Sequence, residues 1–126
     1  MTLVPGMHAR FVITVERADT ALQVGSGDVP VLATPRVLAL AERATVEAVG
    51  GGLNPGETTV GTRAQLEHLV ASPVGAHVEI TAELTEVDGR RLLFAFTARD
   101  NETVIATGTV ERVVVDRERF LGRLAR

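Results

Sequence analysis

Residues 33–52, ATPRVLALAERATVEAVGGG, constrain the fold more than any other stretch of this chain. Thr34 followed by Pro35 reads as a helix start: a threonine hydroxyl can accept from an orphan backbone N–H, and a proline at the first helical position has none to lose. Gly50, Gly51 and Gly52 read as its end. Placing residues at steps of about 100° gathers Arg36, Arg43 and Glu47 on one narrow strip and leaves apolar side chains almost everywhere else. So little polar surface predicts a buried helix. Glu42 is then out of place, projecting roughly 120° from the polar strip among Leu38, Thr45, Val46 and Val49. A carboxylate there is costly unless something uses it.

The rest of the chain supplies strands. Residues 9–16 alternate, with Ala9, Phe11, Ile13 and Val15 on one side. Residues 17–30 lose that pattern and end in a small, mobile loop, 25–30, that leads straight into Thr34. After a turn at 53–56, a long strand is predicted over 57–70 and another over 76–87. Asp88 and Gly89 make a two-residue hairpin turn, the chain returns over 90–99, and a last strand covers 103–115. In the charged tail from Asp116, Phe120, Leu121 and Leu124 can line a short amphipathic helix. The length of 126 residues and a 45% hydrophobic content fit one domain, residues 1–126.

One long buried helix among antiparallel strands predicts an α+β protein in which a curved antiparallel sheet wraps around the helix, the hot-dog architecture. The last strand is apolar on both faces through Val104, Ile105, Val110, Val113 and Val115. A homodimer joined through sheet edges, or a dimer of such dimers, is expected to cover the excess.

Several function classes are set aside by composition. A net charge of −3 with dispersed charges, and four Phe with no Trp or Tyr, offer neither a basic stripe nor a base-stacking platform, so nucleic acid is not an expected partner. There is no cysteine for a disulfide or thiolate metal site, and no metal is expected. All 13 basic residues are arginine, which excludes lysine Schiff-base chemistry. The N-terminal MTLVPGMHARF lacks a signal-peptide or membrane-spanning run, so a soluble cytoplasmic protein without a membrane partner is the expectation.

Three histidines are available. Along 58–70 the even positions include Val60, Leu66 and His68, which puts His68 at the end of the buried face. His77 alternates with Glu79, Thr81 and Glu83 on the solvated face, and His8 lies near the N-terminus. Taken alone, His68 reads equally as a hydrogen-bonded core histidine. Glu42 reads as readily as a buried carboxylate held by Arg112 or a backbone cap.

Together these residues resemble a known group. ATPRVLALAE at 33–42, TVGT at 59–62, EHLVASPVG at 67–75 and ELTEVDGRRL at 83–92 resemble the fluoroacetyl-CoA thioesterase group of hot-dog proteins, over nearly the whole of residues 31–120. The resemblance implies hydrolysis of an acyl-CoA by Thr34, Glu42 and His68. It implies that Gly61 lies against the acyl group; Pro35 and Arg112 are further candidate substrate contacts. Coenzyme A enters as part of the substrate, with no separate cofactor. Helix N-terminal N–H groups and the Thr34 hydroxyl would stabilise the oxyanion. Glu42 would activate water or attack the carbonyl itself, and His68 would orient Glu42 or deliver the proton. Arg90, Arg91, Arg99 and Arg112 are the arginines available for the phosphates.

The group carries aromatic residues ahead of its threonine, gating the acyl pocket. This chain has GSGDVPVLA there, which favours an ordinary short or medium acyl group over fluoroacetyl. Two alternatives remain: a non-hydrolytic acyl-CoA or small-ligand binding module, and an enoyl-thioester hydratase. The latter would want an Asp and His close together at the helix start, and the sequence places neither there.

Overall fold

Five antiparallel strands curve around one helix of sixteen residues, the hot-dog arrangement. This is a computed structural model describing residues 2–125. In chain order the elements are β1 (His8–Thr14), α1 (Ala21–Val24), α2 (Thr34–Val49), β2 (Glu57–His68), β3 (His77–Asp88), β4 (Arg91–Asp100), β5 (Thr103–Asp116) and α3 (Arg117–Arg123). The sheet order is β1-β3-β4-β5-β2. None of the described helices is long and apolar enough to cross a membrane.

The core lies between α2 and the inward side of the sheet. Val37, Leu40, Ala41, Ala44, Ala48 and Val49 pack against Val78, Ile80 and Leu84 of β3 and Leu92, Phe94 and Phe96 of β4. Small residues at 41, 44 and 48 bring the helix close enough for the large strand side chains to interdigitate. Phe94 is fully buried, so its truncation to alanine would cost about 3–5 kcal/mol.

The helix is not covered all round. Pro35, Ala39 and Val46 are exposed, Val46 at 46%, on the flank next to half-buried Glu42. Arg43 lies 4.0 Å from the Phe11 ring centroid and pairs with Glu47. Glu42 therefore borders an open apolar flank and is not surrounded by core.

The sheet also departs from the expected pattern. β5 runs between β4 and β2, so its outward Val104, Val113 and Val115 are half-buried in the middle of the sheet; the edges are β1 and β2. In β2 the register with β5 shifts between Gly61 and Arg63, leaving Thr62 as the extra residue. Such a bulge reverses which face alternate side chains take. Thr59 and Gly61 face the helix before it, and Leu66 and His68 after it, which strict alternation cannot produce. The β3–β4 hairpin pairs Asp88 with Arg91, so Gly89 (φ 61°) and Arg90 form the turn, one residue later than expected.

Residues 17–30 are more structured than their composition suggests. Arg17–Asp19 forms a 3-10 turn and Thr20 caps α1. Bridges from Thr20 to Leu32 and from Val31 to Pro73 tie the loop down near its base. The Asp19 carboxylate accepts from Arg36 Nε and from the Glu16 N–H, both at 2.8 Å, and its carbonyl accepts from Ala33 N–H at 2.9 Å. The start of α2 is thereby clamped from outside. At the other end Gly50–Gly52 continues as a 3-10 turn, with Gly52 packed under Leu3 too closely to admit a side chain. Among the described residues of the tail only Phe120 is half-buried, while Leu121 and Leu124 stay exposed.

Candidate active site

The start of α2 and the end of β2 meet. Thr34 is the first helical residue and Ala33 the cap, so the Thr34 hydroxyl is not used as a cap. Instead Thr34 Oγ1 shares a hydrogen bond of 2.8 Å with His68 Nδ1. His68 Nε2 is buried with no hydrogen-bond partner among the described residues. Desolvation lowers the His68 pKa from its ordinary 6.5, and the Val70 backbone offsets only part of this. The ring is accordingly neutral at pH 7, able to accept a proton at one nitrogen and donate from the other.

Thr34 and His68 line one cleft of about 240 Å³, with Ala21, Ser26, Val31 and Ala71 among its other walls. Among the described residues no phenylalanine borders it. The helix N-terminus opens on this cleft, and the first-turn N–H groups of an α-helix have no intrahelical acceptor. Pro35 contributes no N–H, leaving those of Thr34 and Arg36 as the flanking donors. A cleft with a helix N-terminus, a hydroxyl and a neutral imidazole suits an acyl oxygen on which negative charge develops.

Glu42 belongs to a second cluster. It lies eight residues beyond Thr34, a rise of about 12 Å along the helix axis, so the structure does not join it to the Thr34–His68 pair within one chain. Its Oε2 accepts from Arg112 Nη1 at 3.0 Å. Arg112 also donates from Nε to Thr59 Oγ1 at 2.8 Å and from Nη2 to the Thr59 carbonyl at 3.0 Å. Burial pushes the Arg112 pKa down from its ordinary value and the Glu42 charge opposes this. The guanidinium remains a cation and fixes the direction of the carboxylate.

Gly61 is pressed against that carboxylate. A Cβ at this position would lie 2.5 Å from Glu42 Oε2. The remaining side of Glu42 is open, its side chain 39% exposed against 8% for Arg112. Arg112, one of four arginines available for the coenzyme A phosphates and also the expected holder of a buried Glu42, has its fork spent on Glu42 and Thr59. Pro35 is exposed beside Thr34. His77 is on the surface, 3.0 Å from Thr14 Oγ1, and His8 is exposed at the edge of the sheet. Among the described residues no group of three or more metal-ligating side chains converges.

The fluoroacetyl-CoA-specific thioesterase family model matches residues 15–118 of this chain. The chain belongs to this family. A curated fluoroacetyl-CoA thioesterase from Streptantibioticus cattleyicolor is 42% identical over 90 residues, covering 71% of this chain and 65% of that relative. The match thus spans just under two thirds of the relative's length. A variant of the fluoroacetyl-CoA-specific thioesterase, solved with fluoroacetate and CoA, aligns with a TM-score of 0.86 at 34% identity, covering 94% of this chain and 99% of that one. A hot-dog-like protein from Thermanaerovibrio acidaminovorans aligns at 0.88 with 28% identity, covering 95% and 89%.

Within the family frame, two residues escaped sequence reasoning. Thr59 carries no charge and offers only a position in TVGT, yet it holds Arg112 by both its hydroxyl and its carbonyl. Asp19, an acid in a stretch without periodicity, clamps the helix start through Arg36. Its one sequence signal is the capping-box spacing with Glu16.

Proposed function

We propose that this chain, acting as one hot-dog domain over residues 1–126, is a homodimeric acyl-CoA thioesterase for short or medium acyl groups, each active site being built from two subunits. The observation that carries this reading is the division of labour along α2. Thr34 and His68 form one half-site at the helix start, and Glu42, with Arg112 and Gly61, forms another about 12 Å further along.

An edge strand pairing with its own copy about a two-fold axis supplies what one chain lacks. β2 is such an edge, and its residues 61–65 are exposed on both faces beside the apolar flank of Pro35, Ala39 and Val46. Antiparallel pairing centred on Arg63, the middle of that exposed run, sets Gly61 of one copy opposite Gln65 of the other. Glu42 of the partner subunit then approaches the Thr34–His68 cleft.

In this arrangement the thioester carbonyl oxygen lies against the N–H groups at the start of α2. With the imidazole proton on Nδ1, directed at Thr34 Oγ1, the Thr34 hydroxyl is free to donate to that oxygen, and His68 Nε2 is free to accept. The partner's Glu42 takes a proton from water as the water oxygen bonds to the carbonyl carbon; the C–S bond then breaks and the coenzyme A thiolate receives that proton from Glu42, directly or by way of His68 Nε2. In the covalent route Glu42 itself bonds to the carbonyl carbon, the C–S bond breaks as the anhydride forms and the thiolate leaves to be protonated by solvent, and water then opens the anhydride to return the carboxylate. Coenzyme A is part of the substrate and no other cofactor is involved. The same reading places the protein in the cytoplasm with the acyl-CoA pool.

The cleft lacks an aromatic gate, which supports ordinary short or medium acyl groups over fluoroacetyl. Purified protein offered acetyl-, butyryl-, hexanoyl-, decanoyl- and fluoroacetyl-CoA, with thiol release followed, should hydrolyse the ordinary esters. Saturable binding without thiol release would replace this reading with that of a binding module.

A further inference from the structure

The charge of this protein is unevenly distributed. Residues 117–126 hold four arginines against one acid, while the other 116 residues hold nine against fifteen. Arg119 and Arg123 are four apart on α3, hence on one side of it, and they join Arg90 from the β3–β4 turn around a pocket of about 180 Å³. Half-buried Phe120 and the strand residues Val114 and Val115 complete its wall. The pocket's acid, Asp116, has its carboxylate engaged by the Arg119 N–H at 2.9 Å. Arg90 donates to the Val114 carbonyl and has Glu57 at 3.9 Å, an ion pair too long and too exposed to neutralise it. Among the described residues no carboxylate pairs with the guanidinium of Arg119 or Arg123.

We infer that Arg90, Arg119 and Arg123, with Phe120, bind the nucleotide end of the coenzyme A ester. Three unneutralised guanidinium groups around an aromatic ring match a ligand that joins phosphates to a flat base. Placement matches too, on the dimer reading above. Asp116 pairs with Glu57, and Arg117 N–H donates to the Gly56 carbonyl at 2.9 Å, so α3 is fixed at the start of β2. In antiparallel β2–β2 pairing the start of one β2 lies beside the end of the other, where His68 opens the partner's cleft. The thioester would then react in one subunit while its nucleotide rests on α3 of the other. Leu121 and Leu124 are exposed outside the pocket; a basic helix with such residues also suits an anionic lipid surface, but the pocket and the ring within it favour the nucleotide.

The test is R119A/R123A, on an exposed helix where the fold should survive, as circular dichroism and Tm would show. Adenosine 3′,5′-bisphosphate titrated calorimetrically into the parent should bind, and the variant should lose most of that binding. KM for acetyl-CoA should rise about tenfold or more with kcat within twofold, since charge-assisted contacts to phosphate are lost while the reacting groups are untouched. R119K/R123K should recover part of the loss. Rates with acetyl-N-acetylcysteamine, which has no nucleotide, should not change. Unchanged bisphosphate binding and an unchanged KM would overturn the assignment, and binding of phosphatidylglycerol vesicles abolished in the variant with KM unaltered would transfer the patch to lipid. If neither thioester is hydrolysed, the thioesterase reading fails, while the bisphosphate titration still decides this one.

Discussion

Arg112 Nη1 donates to Glu42 Oε2 at 3.0 Å while the other two donors used by the same guanidinium are fastened to Thr59. A carboxylate that would otherwise swing freely on an open helix flank is thereby aimed. If Arg112 is a positioning residue and not a phosphate ligand, Arg112→Lys should lower kcat by on the order of 10- to 100-fold, because a lysine cannot reproduce the fork, and should leave KM for acyl-CoA within about twofold. A selective rise in KM would return Arg112 to the phosphates. Stability should fall by about 1–3 kcal/mol through the unpaired Thr59 groups, read as a denaturation midpoint.

Gly61 is the other constraint on that carboxylate. Its φ is not in the left-handed region, so alanine meets no backbone strain there; the added methyl would lie 2.5 Å from Glu42 Oε2. Gly61→Ala should therefore fold, displace Glu42 and reduce kcat by at least tenfold. Activity equal to the parent's would mean that the position of Glu42 is not critical.

Thr34→Ala, Glu42→Gln and His68→Ala should each reduce kcat by on the order of 10² or more, the usual scale for losing a preorganised donor or a general base. Each side chain is at least partly exposed, so circular dichroism should show the fold intact. His77→Ala is the matched control and should be fully active. Loss of activity there would contradict the assignment to His68.

Much of this site was legible because its signals are local. Thr-Pro and the periodicity after it define α2, and alternation in β3 separates His77 from the buried face. What stayed hidden depends on pairings between distant segments. The bulge at Thr62 comes from its register against Glu111, which also accepts the Thr62 hydroxyl at 2.8 Å; no residue in TVGT announces it. The place of β5 inside the sheet is decided by β2 docking on its free side, so an apolar last strand misleads about where the edge lies. Thr34 satisfies every rule for a cap, yet its hydroxyl goes to a histidine 34 residues away.

Acidity should act through His68. Its folded pKa is lowered from 6.5 by burial, so kcat/KM should hold through neutrality and fall with an apparent pKa below 6.5 as the ring is protonated and Nε2 can no longer accept. Because the unfolded ring takes up its proton at higher pH than the folded one, acidification below about 6.5 also favours unfolding. Tm measured from pH 7.5 to 5 should drop more steeply for the parent than for His68→Gln. Parallel curves would show that His68 does not contribute.

Without an aromatic gate, acetyl-, propionyl- and butyryl-CoA should be hydrolysed with kcat/KM within about two orders of magnitude of each other, one methylene being worth about 1–3 kcal/mol. Fluoroacetyl-CoA should show no special preference. Val29→Phe, in the exposed loop before α2, should narrow the range, and a preference for fluoroacetyl over acetyl of many orders in the parent would refute the argument from the gate.

The division of the site between subunits is tested by mixing. Glu42→Gln and His68→Ala should each be nearly inactive alone, but after the two are unfolded together and refolded as a mixture, half of the dimers should be heterodimers. Each heterodimer carries one site with Thr34 and His68 from the first chain and Glu42 from the second. A site shared between subunits should restore about one quarter of the parent's activity per subunit, appearing only after exchange. A mixture that stays as inactive as its components, with heterodimers shown to be present, would contradict it.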